Sequence, residues 1–404
     1  MKRLRCRECG VERPFEPAYV CDRCFGPLEV AYDLEALGAT LSRASIAAGP
    51  PSIWRYRPLL PVDDGPLFDL GTGFTPLVPA HNLGRRLGLN RLYVKNDTVN
   101  PTGSFKDRNV TVALNFALHR GFETLACSST GNLAGSVAAY AALARLPALV
   151  FIPAGLEPGK VGAAAAYGAT IIEVDGTYDD VSRLCTELAD QHPWGFVNVN
   201  LRPFYSEGSK TLAFEVVEQL GWRAPDHLVV PVAAGSLLAK SAKALSELHA
   251  LGLIDAPQTR IHAAQGAGCA PVADAVRRGA DQPDPVRPSG LARSLAIGNP
   301  ADGRYAVRAV RSSGGWGTAA SDQAILEGMT LLAECEGILA EPAGGVVVAG
   351  LQELIGLGRI QPDETVVLCI TGSGLKTTEL FQGGRRLRLE HARASEFETL
   401  LAAV

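Results

Sequence analysis

The sequence has no stretch long and apolar enough to span a bilayer. Its most hydrophobic segment, Leu133 to Leu156, is mostly alanine and is interrupted by Arg145 and Pro147, so it reads as a buried helix followed by a strand. Nor is there a large excess of one charge. Thirty-eight Lys and Arg against 42 Asp and Glu leave a formal −4 over 404 residues, which gives no electrostatic drive toward nucleic acid or an anionic membrane. The start, MKRLRCRECG, is basic, but no apolar run follows it as a secretory signal requires, so the expected location is the cytoplasm. Histidine is scarce: the seven, at 81, 119, 192, 227, 249, 262 and 391, form no HxxxH pair, and no GxSxG elbow exists. Metal-dependent and serine hydrolase readings drop away. AGLEPGKV (154–161) lacks the first Gly and final Ser or Thr of a Walker loop, and GTGFTP (71–76) lacks the last Gly of a dinucleotide fingerprint. No nucleotide site is expected, and no repeat of 20–50 residues is visible.

What is present is the composition of a folding chain. Apolar residues are 47% and charged residues 20%, and the length suggests two or three domains. From Leu92 onward short β-branched runs alternate with helical spacing. Strands are expected at 91–97, 124–129, 149–154, 169–175, 196–200, 227–233, 260–265 and 365–371. Helices are expected around Val110–Leu118, Val137–Ala144, Leu212–Leu220 and Ile325–Cys335. Strands that read as continuous apolar runs imply parallel sheets covered on both faces, with ligands bound at the carboxyl ends of the strands. The expected class is therefore α/β, with the chemistry in strand-to-helix loops. Residues 1–33, rich in Cys and Arg, form a separate unit. Residues 34–70, with Pro50, Pro51, Pro58, Pro61 and Pro66, read as a linker or wrapping arm. The polar GADQPDPVRP (279–288) reads as a mobile or functional loop.

Of nine cysteines, Cys127, Cys185, Cys269, Cys335 and Cys369 are scattered through apolar segments and read as reduced core residues. The other four follow Cys6-x2-Cys9-x11-Cys21-x2-Cys24, a spacing that can close a tetrahedral zinc site with a structural role. A nucleic-acid-binding role for this module would rest on the thin patch Arg3, Arg5, Arg7 and Arg13. Four loops at strand ends carry the rest. Asn100-Pro101-Thr102-Gly103-Ser104-Phe105-Lys106-Asp107-Arg108 places Lys106 at a sheet rim near a helix start, where desolvation and the positive helix end lower an ammonium pKa and favour the neutral amine that attacks aldehydes. Ser128-Ser129-Thr130-Gly131-Asn132 suits a carboxylate at a helix N-terminus, and Val232-Ala233-Ala234-Gly235-Ser236-Leu237 allows backbone N–H groups close to a phosphate. Thr371-Gly372-Ser373-Gly374-Leu375-Lys376 ends another apolar strand. Together the four suggest one crevice for a phosphorylated, lysine-attached cofactor.

On these residues the sequence resembles the threonine synthases, within the fold type II pyridoxal-phosphate enzymes. The motifs, in order, are the Cys ribbon with GPLEVAYD, TGFTPL (72–77), NPTGSFKDR (100–108), SSTGN (128–132), EGSKTLAFE (207–215), AQGAGCAPV (264–272), AIGNPADG (296–303), EPAGG (341–345) and TGSGLK (371–376). The resemblance implies two doubly wound subdomains of tryptophan synthase β-like architecture, a large one from 71–110 and 206–404 and a small mobile one from 111–205, beside the zinc-ribbon-like extension. It makes Lys106 the Schiff-base lysine and proton carrier. Asn132 would bond the phenolic oxygen of pyridoxal phosphate, Ala233, Ala234, Gly235, Ser236 and Leu237 would cradle its phosphate, and Thr371 would meet the pyridine nitrogen. A neutral hydroxyl there does not force that nitrogen to stay protonated. Ser129 and Thr130, with Ser104, would hold the substrate.

The implied reaction converts O-phospho-L-homoserine and water into L-threonine and phosphate, under a closing small subdomain, in a homodimer. The chain departs from the commoner pattern in Arg202-Pro203-Phe204-Tyr205-Ser206 before the EG dipeptide, in AAGSL (233–237), and in Leu133. Arg202, helped by Lys240 or Lys210, is expected to supply the cation for the substrate phosphate. Cysteate formation from O-phosphoserine and sulfite, and a catalytically silent sensor, are the alternatives.

Overall fold

The computed structural model describes residues 2–155 and 161–381, and in the tail residues 388, 394, 397 and 398. Residues 156–160 of the AGLEPGKV segment lie outside the described residues. Thirteen strands are seen among the described residues: β1 Lys2–Cys6, β2 Glu12–Arg13, β3 Leu28–Tyr32, β4 Leu77–Pro79, β5 Arg91–Asn96, β6 Thr124–Ser128, β7 Ala148–Pro153, β8 Thr170–Val174, β9 Trp194–Phe196, β10 His227–Pro231, β11 Arg260–Gly266, β12 Gly317–Ala320 and β13 Thr365–Ile370. They form three sheets.

The largest sheet runs β12-β11-β10-β13-β5-β4, parallel except for the antiparallel edge strand β4. HLVVP of β10 is buried at every position, as is VVLCI of β13, because helices cover both faces. Alternate residues go to opposite sides. Leu228, Val230, Val367 and Cys369 join one core, and Val229, Val366, Leu368 and Ile370 join the other. The second sheet, β8-β7-β6-β9, is all parallel. The expected strand at 196–200 is displaced to Trp194–Phe196. Asn200 accepts from Phe196 N–H (2.8 Å) and donates to Trp194 C=O (2.9 Å), which closes a turn where the alternating FVNVN pattern suggests pairing.

The N-terminal β2-β1-β3 sheet is antiparallel. Its Leu4, Leu28 and Val30 share a core with Val110, Leu114 and Phe116 of the helix Lys106–His119. A buried charge cluster adds to this docking. Glu29, Glu207 and Glu247 face Lys210, Lys240 and Lys243, three carboxylates against three ammoniums, with Lys210 4.1 Å above the Tyr32 ring. Residues 34–70 are far from featureless. Ile53, Trp54, Leu60 and Val62 are buried against Val112.

At the amino ends of the central strands a buried chain has its tautomers fixed by one backbone donor. Trp316 N–H donates to His262 Nδ1 (3.0 Å), so His262 Nε2–H donates to His227 Nδ1 (2.9 Å) and His227 Nε2–H to Glu364 (2.9 Å). Protonating either ring would set two N–H groups against each other. Burial accordingly pushes the His262 pKa down to about 3 and also lowers that of His227. Depressed folded-state pKa values mean that the unfolded chain binds protons first, so stability is full at neutral pH and lost as pH falls below about 6.5. His262 alone is expected to cost about 2 kcal/mol at pH 5. Melting temperature measured from pH 7.5 to 5 should fall for the wild type and flatten in His262→Gln; equal slopes would contradict this.

Candidate active site

Lys106 opens a 14-residue helix, and the loop before it is tied down at both ends. Asp107 accepts from Thr102 N–H (2.7 Å), Thr102 Oγ1 (2.7 Å) and Ser136 Oγ (2.6 Å). Phe105 N–H donates to Thr371 C=O (3.0 Å) and Ser373 N–H to Gly103 C=O (2.9 Å), with Ser104 bridged to Gly372. Gly103 sits at φ +67°, where a side chain would be strained. The end of β13 is thus sewn to the loop carrying Lys106, and Lys106, Ser104 and Thr371 come together. Burial lowers the Lys106 amine to about 8, partly opposed by the charge of Glu341.

Asn132, in the first turn of the helix Gly131–Ala144, closes the other side. Its Oδ1 accepts from Lys376 Nζ (2.7 Å) and its Nδ2 donates to both Glu341 oxygens (3.0 and 2.9 Å). Because an ammonium only donates, the amide orientation is fixed. Glu341 is 6% exposed and burial raises its pKa. A Cβ on Gly372 would stand 2.2 Å from Glu341 Oε1, so a side chain there would push the Glu341 carboxylate out of its place. Neither Glu341 nor Lys376 carries an assigned role from the sequence, although both lie in quoted motifs; their proximity depends on long-range contacts. Ser129 and Thr130 lie half-buried on the same rim, where the neighbouring Ser128 is held by Asn198 Nδ2 (2.9 Å).

The loop 233–237 has the geometry of an anion cradle. Gly235 (φ +94°) precedes the helix Ser236–Ala250, whose N-terminus has no side-chain cap, and Ser236 Oγ is buried without a partner. A Cβ on Gly235 would meet Asp302 C=O at 2.8 Å. An orphaned hydroxyl beside uncapped helix N–H groups fits a phosphate. The cysteines fit zinc equally well. Their four sulfurs lie within 4.8 Å of one another, with Cys6–Cys24 at 3.5 Å and Cys9–Cys21 at 3.8 Å, against about 3.8 Å between sulfurs in a tetrahedral Zn–S4 site.

Two expected helpers are engaged elsewhere. Lys210 pairs with Glu207 and Glu247, and Lys240 with Glu207, in the charge cluster that docks the ribbon. Arg202 pairs with Asp302 (2.9 Å) and keeps about a third of its side chain exposed. The thin basic patch of the ribbon is also neutralised: Arg3, Arg5, Arg7 and Arg13 face Glu12, Glu29, Asp302 and Asp22. No described helix is long and apolar enough to cross a membrane.

Residues 68–372 match the family described as pyridoxal-phosphate dependent enzyme, and the chain belongs to that family. Threonine synthase of Methanosarcina acetivorans is 38% identical over 379 residues, covering 93% of this chain and 92% of the relative. That of Methanocaldococcus jannaschii is 39% identical over 376 residues, covering 92% of each. Within the family the chain is therefore a member of the threonine synthases. Solved structures share the fold: diaminopropionate ammonia lyase of Escherichia coli (TM-score 0.64, 20% identity, 80% of this chain and 94% of that one) and maize serine racemase (TM-score 0.60, 21% identity, 82% and 93%).

Proposed function

We propose that the protein converts O-phospho-L-homoserine and water into L-threonine and phosphate, and the observation that carries this is the desolvated Lys106 amine near Glu341, the partner of Asn132, on a loop bonded to Thr371. Pyridoxal phosphate, when bound, supplies an aldehyde for Lys106 and an electron-accepting ring beside the substrate Cα. Asn132 Nδ2 would donate to its phenolic oxygen, Thr371 would meet its ring nitrogen, and Ser236 Oγ with the free helix N–H groups would hold its phosphate.

This chain's own residues would do the rest. An amine whose pKa is near 8 is partly neutral at physiological pH, so Lys106 Nζ can take the Cα proton and return protons to the carbon skeleton. Ser129, Thr130 and Ser104 would hold the substrate. Arg202, already anchored by Asp302, would turn its exposed side toward the leaving phosphate. Closure of the small sheet over the rim would keep water out until the leaving group departs. The four cysteine thiolates would hold zinc in a closed site that stabilises the ribbon, and reduced thiols suit a cytoplasmic setting.

Truncating the cradle should weaken the cofactor without abolishing it. Ser236→Ala is expected to raise the pyridoxal phosphate dissociation constant by about tenfold, as for one lost hydrogen bond to a charged group. Equilibrium titration measures this; an unchanged constant would remove Ser236 from the cradle. For the reaction itself, mass spectrometry of products should show threonine from phosphohomoserine. Cysteate from phosphoserine and sulfite at a higher kcat/KM would instead favour the shorter substrate.

A further inference from the structure

We propose that Arg7 of the N-terminal ribbon is a positioning residue for the cofactor-phosphate loop and acts on it through Asp302. This rests on the reading of residues 233–237 as that loop. Asp302 touches the loop with its backbone on two sides. Its N–H donates to Ala234 C=O (2.8 Å), and its own carbonyl oxygen lies 2.8 Å from where a Cβ on Gly235 would stand. A shift of Asp302 therefore moves the loop.

Two arginines fix the Asp302 side chain, which is 7% exposed. Arg7 Nη1 donates to Oδ1 (2.6 Å) and Arg202 Nη2 to Oδ2 (2.9 Å). The Arg7 guanidinium carbon also lies 3.3 Å from the Tyr305 ring centroid, which makes a stacked contact. Glu8 extends the grip: it accepts from Tyr305 Oη and from Arg304 Nη1 (2.9 Å). Residues 7 and 8 lie between Cys6 and Cys9, so the first cysteine knuckle clasps the start of the helix Gly303–Ser312, which follows Asp302 directly.

Charge points the same way. An aspartate whose backbone abuts a phosphate cradle would disfavour a dianion, and Arg7 and Arg202 offset its charge, with Arg7 also facing Glu29 (3.9 Å). Removing Arg7 takes away one of the positive charges that offset Asp302 and frees one of its oxygens. The ribbon is thus built into the cofactor site across 295 positions of sequence.

The test titrates cofactor-free full-length protein with pyridoxal phosphate, and separately with pyridoxal, and records the 31P resonance of the bound phosphate. Arg7→Met is expected to raise the pyridoxal phosphate dissociation constant by about tenfold and to move the 31P resonance. Pyridoxal, which lacks the phosphate, should bind as to the wild type. Arg7→Lys should fall between the two, and in an Asp302→Asn background Arg7→Met should add less than about twofold. Wild-type constants and resonance in folded Arg7→Met or Arg7→Lys, or an undiminished effect in the Asp302→Asn background, would overturn the proposal. A 31P resonance in the wild type indistinguishable from free cofactor would instead overturn the loop reading itself.

Discussion

Lys106→Ala is expected to fold with a melting temperature close to that of the wild type and to lose at least about 10³-fold in kcat. A positioned acid–base group contributes roughly 10²–10⁴, and Lys106 is also the amine proposed to attach the cofactor. Its surroundings argue that folding survives. The Lys106 side chain takes no part in the bonds sewing 103–105 to 371–373, which are made by backbone groups, nor in those from Thr102 to Asp107. Steady-state turnover with circular dichroism as the folding control measures both halves. Residual activity above about a tenth would mean that another group moves the proton. Lys376, whose Nζ lies 2.7 Å from Asn132 Oδ1 and which, like Lys106, acts on Glu341, is an alternative amine there.

Arg108→Met should show the reverse, a loss of fold before a loss of chemistry. Arg108, two positions after Lys106, is fully buried. It meets Asp97 through Nε and Nη2 (both 2.7 Å) and Glu215 through Nη2 (2.8 Å). Glu215 in turn accepts from Phe74 and Thr75 N–H and pairs with Lys95 (2.6 Å). Removing the guanidinium strands buried carboxylate charge, at about 3–5 kcal/mol. A drop of roughly 5 °C in melting temperature is expected.

The acid limb follows from the same group. Burial alone would raise the Glu215 pKa, but Arg108 and Lys95 hold it down to about 2. Its contribution is thus present above the unfolded carboxylate pKa of about 4.3 and is lost as pH falls toward 2. In Arg108→Met only Lys95 still opposes burial, so this contribution shrinks and the fall in stability between about pH 4.3 and 2 should be shallower. A variant melting within about 2 °C of the wild type would show that the pair is not what holds the loop.

The sequence makes the central sheet legible because parallel strands covered on both sides must be apolar throughout. RLYVKN, HLVVP and TVVLCI appear close to where they are expected. Short or small-residue strands carry no such signal, as LVP of β4 and GTAA of β12 illustrate. Lys106, Asn132, Ser236 and Thr371 lie at strand-to-helix junctions whose composition already suggests a task, and the loop before Lys106 is bonded to the end of β13 at Thr371. Glu341 and Lys376 are silent until tertiary contact gives them partners. Lys210 and Lys240 illustrate the converse. A lysine in a helical stretch reads as available, whereas here both are consumed by Glu207 when the ribbon docks. The Arg7–Asp302 contact, between residues in separate modules, leaves no local trace at all.

The central claim is that one amine, Lys106, receives the cofactor. Reducing the holoenzyme with borohydride, digesting it and sequencing the peptides by mass spectrometry should place the phosphopyridoxyl group on Lys106 alone. Attachment at Lys376 or any other lysine, or no attached group in protein saturated with pyridoxal phosphate, would contradict the account.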